Sequence, residues 1–164
     1  MKIELFLLEN YLNYGIRKYT LWNPAKAPHT VIFGATGSGK TYATKLMLGR
    51  ISMHCPDSKI YICDFKGDSD FSFLHGENRF YRFLDCEKGL ADFYSSFQKR
   101  QSGEDRHRNM MLLFFDEWAS YTLNLDKRQA EEEKKKLSTL NIDKNTNNMQ
   151  LISLHFQVFF LLSL

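Results

Sequence analysis

Short apolar runs that end on a glycine or a carboxylate punctuate this chain. Thr30-Val31-Ile32-Phe33 ends at Gly34, Ile60-Tyr61-Ile62-Cys63 at Asp64, and Met110-Met111-Leu112-Leu113-Phe114-Phe115 at Asp116. Runs this apolar, with polar residues only at their ends, suit strands covered on both faces. Between them the apolar positions change period. Tyr42, Ala43, Leu46, Met47 and Ile51 recur at helical spacing, as do Leu90, Phe93, Tyr94 and Phe97. The pattern predicts helices from Lys40 to about Ile51, from Glu87 to Gln101 and from Asp126 to Leu140. In the last, the i,i+4 pairs Glu131–Lys135 and Glu132–Lys136 add about 0.2–0.5 kcal/mol each. A short strand is expected over Phe80–Leu84, and loops over Phe65–Leu74 and Ser102–Asn109. Strands alternating with helices predict an α/β fold built on a parallel sheet.

The ends of the chain are less regular. Ile3–Leu8 is apolar without a deciding period, and Arg17–Trp22 alternates like an edge strand that Asn23-Pro24 terminates. Residues 1–28 therefore form a lead-in with an edge strand, and residues 29–164 a core. A polar turn is expected over Asn141–Asn148 and a strand over Met149–His155. Val158–Leu164 is strand-like, and far too short to span a bilayer.

Chemistry enters at Gly34-Ala35-Thr36-Gly37-Ser38-Gly39-Lys40-Thr41, which fits the phosphate-loop spacing G-x-x-x-x-G-K-[ST]. It follows a strand and opens a helix, the context that gives the spacing meaning. Glycines let backbone N–H groups crowd around phosphate oxygens, and the helix N-terminus adds partial positive charge. Lys40 is expected to reach the β- and γ-phosphates of ATP and the Thr41 hydroxyl to ligate Mg²⁺; Tyr42 completes the candidate nucleotide-binding stretch. The run ending in Asp116-Glu117 supplies the second half. Asp116 is placed to hold Mg²⁺ and Glu117 to orient or deprotonate the attacking water. The alternative reading of the acid pair is a charge cap on the next helix.

Composition narrows the rest. A net charge of +3 over 164 residues does not announce a nucleic-acid binder. Cys55, Cys63 and Cys86 form no metal or disulfide spacing and read as free thiols, and the histidines suggest no zinc site. Nothing reads as a signal peptide. Lys99, Arg100, Arg106 and Arg108 are either a solvated loop or a set of DNA-phosphate contacts. Asp64 and Lys66 are either a capped turn or part of the nucleotide site. Trp22 and Trp118 read as packing residues.

Together these stretches resemble the FtsK/SpoIIIE–HerA superfamily of DNA-pumping ATPases, most nearly the coupling-protein ATPases of Gram-positive conjugative elements. The resemblance rests on Ala27–Thr41, on Ile60-Tyr61-Ile62-Cys63-Asp64-Phe65-Lys66-Gly67 with Phe71-Ser72-Phe73-Leu74, and on Leu113–Trp118. It implies a RecA-like, additional-strand P-loop core that hydrolyses Mg-ATP. It also implies hexameric rings around DNA, an arginine contributed by the neighbouring subunit, and a cytoplasmic motor working at the inner face of the membrane. Past Leu140 the chain departs from the family pattern, with Gln157 as the candidate strand-end glutamine. It looks C-terminally truncated, which would leave this chain monomeric. A small P-loop nucleotide-binding protein or kinase, and an inactive ATP-binding remnant, are the competing readings.

Overall fold

The computed structural model describes residues 2–139 and 156–162, with side chains described through residue 136. The main sheet has five strands in the order β3-β7-β6-β4-β5, where β3 is His29–Phe33, β4 Lys59–Asp64, β5 Phe80–Arg82, β6 Met111–Asp116 and β7 Phe156–Leu162. Strand β6 is buried along its whole length. Its pleat sends Leu112 and Phe114 into one core with Met47, Leu48, Ile51 and Phe71, and Met111, Leu113 and Phe115 into another with Cys63, Cys86, Phe93 and Tyr121. The sheet is thus covered on both faces, as its uninterrupted apolar sequence requires.

Helix α2 (Lys40–His54) covers the first face, and helices α3 (Cys86–Gln101) and α4 (Trp118–Thr139) serve the second. The lead-in forms an antiparallel pair, β1 (Ile3–Leu7) with β2 (Tyr19–Trp22), joined through the single turn α1 (Glu9–Leu12). Ile3, Leu5 and Trp22 join the α2 core. The Trp22 indole donates to the Ala27 carbonyl at 2.7 Å, so both its ring and its N–H are satisfied. Trp118 packs edge-to-face on Phe115. Both tryptophans are packing residues.

The α/β layering is as the apolar pattern predicts, and strands β4, β5 and β6 are parallel. Several boundaries differ. Helix α4 starts eight residues before Asp126, because Trp118 and Tyr121 pack onto Phe115 and draw the first turns in. Ser69–Leu74 is a short 3₁₀ helix rather than a loop, capped by Asp68, whose carboxylate accepts the Asp70 N–H at 2.8 Å. The expected Asn141–Asn148 turn and Met149–His155 strand lie outside the described residues.

Strand β7 lies between β3 and β6 and runs antiparallel to both. It thus fills the place of an additional strand, in the reverse direction. A stretch apolar at every position but Gln157 specifies burial between two strands but not its direction. Because β7 opposes both neighbours, β3 and β6 run the same way. The carboxyl ends of β3, β6, β4 and β5 therefore share one edge, with β3 and β6 two strand spacings, about 10 Å, apart.

Candidate nucleotide site

That shared edge carries the polar residues. The phosphate loop leaves β3 at Phe33 and enters α2 at Lys40, with Gly37 (φ 79°) and Gly39 (φ 85°) in the left-handed region. Only glycine adopts that backbone at little cost, and here it turns the chain sharply enough to aim the α2 N-terminus across the edge. Gly34 serves differently. A β-carbon there would stand 2.7 Å from Ser38 Oγ, so a side chain at position 34 would push that hydroxyl to another rotamer. The Lys40 ammonium donates to the Gly34 and Ala35 carbonyls at 2.9 and 3.0 Å, which lays its stem over the loop it would serve.

On β6 the paired register puts Asp116 beside Asp64 of β4, and Asp64 beside Arg82 of β5. Asp116 and Glu117 are both buried. Glu117 holds φ 59°, a left-handed conformation that costs a non-glycine residue about 1–3 kcal/mol. The Ser120 hydroxyl donates to its Oε2 at 3.2 Å, and the Tyr121 N–H donates to its carbonyl at 3.0 Å. The strained kink, tied down by the first turn of α4, turns the carboxylate out of the strand line.

A cavity of about 430 Å³ joins the two halves. Thr36, Gly37, Gly39, Lys40, Thr41, Tyr42, Asp116 and Glu117 line it, along with Lys66 and Asp70. Of the residues singled out from the sequence, Gly34 and Ala35 touch this site through Lys40, while Ser38 belongs to the loop without lining the cavity. Asp70 went unnoticed in the sequence. It lies in a Ser/Asp/Phe-rich stretch, and only the 3₁₀ turn after Asp68 brings it to the edge, where it pairs with Lys45 at 2.9 Å. A slightly larger cavity, about 450 Å³, sits between α2, the 3₁₀ helix, β4 and β5. Leu48, Ile60, Ile62, Phe71 and Phe80 make it mostly apolar, and it includes no phosphate-loop residue. The cavity that holds the phosphate loop and the first turn of α2 is the one suited to an anion.

Among the described residues no cluster of three or more His, Cys, Asp or Glu side chains could hold a metal by itself. Mg²⁺ does not require one. It is usually held by one or two protein oxygens, with substrate phosphates and water completing the octahedron. The Thr41 hydroxyl and Asp116 carboxylate, facing one cavity, are a donor set of that kind.

The second acidic strand end has a separate task. Asp64 is fully buried and accepts the Gly67 N–H at 2.8 Å. Burial pushes its carboxyl above the usual range, against the Gly67 bond and the nearby Arg82 charge. The guanidinium of Arg82 stands 3.6 Å from Asp64 Oδ2 and donates to the Gly67 and Asp68 carbonyls.

Around the basic loop before β6 one residue, Arg100, is committed to structure. Arg100 is buried and donates to the Asn109 carbonyl and side chain, both at 2.6 Å. It is spent on holding the α3–β6 connection and is not a DNA contact. Lys99 stands 3.8 Å from Glu104. Arg106 and Arg108 are exposed, at the edge of the sheet opposite the cavity.

A five-strand α/β sheet with a phosphate loop after one strand and an acid pair after another defines the class: a P-loop NTPase domain. The sequence model described as "Helicase HerA, central domain" matches residues 21–154, well over half of the chain. The chain belongs to that family, whose domains are ATPase motors of the HerA/FtsK type. No curated protein and no solved structure matches it.

Proposed function

We propose that this chain is the ATP-binding and hydrolysing domain of a DNA translocase, of the kind that moves DNA in conjugative or chromosomal transfer. One observation carries the catalytic part: Lys40 and Thr41 face the same cavity as Asp116 and Glu117. The loop amides and the α2 N-terminus bind the phosphates, and Lys40 exchanges its two carbonyl partners for phosphate oxygens. Thr41 and Asp116 would hold Mg²⁺, which when bound would neutralise charge on the phosphate oxygens. Glu117, fixed by Ser120, orients the attacking water and takes its proton. An acid pair in the cavity favours water as acceptor, which speaks for hydrolysis over transfer to a bound hydroxyl. In the family's working form a ring of six subunits surrounds DNA at the inner face of the membrane, and a neighbour's arginine completes the site.

The test is Mg-ATP turnover with and without duplex DNA. Glu117→Gln is expected to bind Mg-ATP while turnover falls about 100-fold or more, within the range a lost general base produces. Lys40→Ala is expected to lose binding as well. Normal hydrolysis by Glu117→Gln removes that residue from the chemistry. Turnover indifferent to DNA removes translocation and leaves the ATPase.

A further inference from the structure

Lys66 stands at the tip of the turn that leaves β4, on the wall of the cavity opposite the phosphate loop. The turn is built to hold it there. Asp64 closes it from inside through the Gly67 N–H, and Arg82 clamps the Gly67 and Asp68 carbonyls from the neighbouring strand. Gly67 has φ 67°, and a β-carbon there would stand 2.2 Å from the Phe83 ring, so the backbone is pressed flat beneath that ring. A turn needed only to reverse the chain would not require a buried carboxylate, an arginine and a ring.

Lys66 also lines a smaller cavity, about 230 Å³, with Phe65, Glu117 and Ser120, so it flanks Glu117 on two sides. Its ammonium lies 2.8 Å from Asp68 Oδ2, yet its side chain remains about half exposed and free to swing. Asp70 is matched by Lys45, and Lys40 and Lys66 are the two cations among the residues lining the main cavity.

Resting on the nucleotide site proposed above, we infer that Lys66 contacts the terminal phosphate, a second cation that separates a triphosphate from a diphosphate. The loop amides and Lys40 serve the phosphates nearest α2. The phosphate that approaches Glu117 is the last one, and Lys66 is the cation beside Glu117. Asp68 holds the ammonium until that phosphate competes for it. The Asp68 bond raises the proton affinity of Lys66, burial lowers it less, and Glu117 and Asp116 add to the rise. The group therefore remains a cation at neutral pH.

Calorimetry with Mg-ATPγS and Mg-ADP, on wild type, Lys66→Ala and Lys66→Arg, tests this. Lys66→Ala is expected to weaken Mg-ATPγS about tenfold or more and Mg-ADP less than about twofold, and Lys66→Arg to recover most of the loss. Equal losses for the two nucleotides would mean the residue merely shapes the turn, and no loss would mean it does not touch phosphate; either overturns the inference. Wild type that binds both nucleotides while Lys66→Ala changes neither isolates the failure to Lys66. Wild type that binds neither removes the nucleotide site and this inference with it.

Discussion

At the scale of single residues, the two halves of the site differ in how they could be read. Gly34, Gly39, Lys40 and Thr41 stand at the fixed positions of the G-x-x-x-x-G-K-[ST] spacing, while Gly37 falls at one of its open positions. Nothing in the sequence near Glu117 announces its left-handed backbone, which arises only when β6 is buried and α4 begins at Trp118. Asp70 was hidden, and for Lys66 a capped turn and a place in the nucleotide site both stayed open, since the position of each depends on how the turn after β4 is clamped. Arg100 shows what burial adds. Four basic residues around one loop leave a solvated loop and a phosphate surface both open, and burial commits Arg100 to Asn109. Its neighbour Asp105 gives a pH test. The His107 N–H and ring bonds, and then Lys59, hold the Asp105 carboxyl well below the ordinary range. The folded chain thus keeps the proton off at pH values where the unfolded chain takes it up. The stability from Asp105 is complete above the unfolded pKa, about 4, and is lost as pH falls through the lower native value. Asp105→Asn is expected to melt below wild type at pH 7, the two curves converging toward pH 2. Parallel curves across that range would show that Asp105 contributes nothing through its charge.

At the scale of elements, the apolar runs and helical periods placed the strands and helices of the layered sheet, because burial on both faces writes itself into composition. Boundaries were less legible where tertiary contacts extend an element, as Trp118 and Tyr121 extend α4. One helix position tests how tightly the layers fit. Gly89 on α3 faces the sheet, and a β-carbon there would lie 2.6 Å from Tyr81 and 2.8 Å from Cys63 Sγ. Alanine in a helix interior gains about 1 kcal/mol over glycine. Overpacking a filled core costs about 1–3 kcal/mol. Both displaced atoms belong to buried or half-buried strand residues, so the clash is expected to win. Gly89→Ala should lower the urea midpoint without changing the slope, a net loss of up to about 2 kcal/mol. A raised midpoint would show that α3 lifts off the sheet freely.

For the molecule as a whole, the direction of β7 was beyond sequence reading, since Phe156–Leu162 would bury equally well either way up. The consequence is mechanical. Among the described residues, β3 pairs with β7 alone, so the strand that launches the phosphate loop is tied to the rest of the sheet through that single neighbour. The pairing of β6 with β4 and β5 does not depend on it. A chain ending at residue 155 is therefore expected to lose hydrogen-exchange protection over residues 29–33 while keeping it over 59–64 and 111–116. Protection retained at 29–33 would mean that α2 alone anchors that strand.

Order of manufacture gives this arrangement a further meaning. Translation produces the loop first and the acid pair some seventy residues later, but the strand that spaces them comes after both. A nascent chain that has already displayed both halves has not yet set their separation. The pairing that sets the two halves two strands apart is thus the last in the sheet to become available during synthesis.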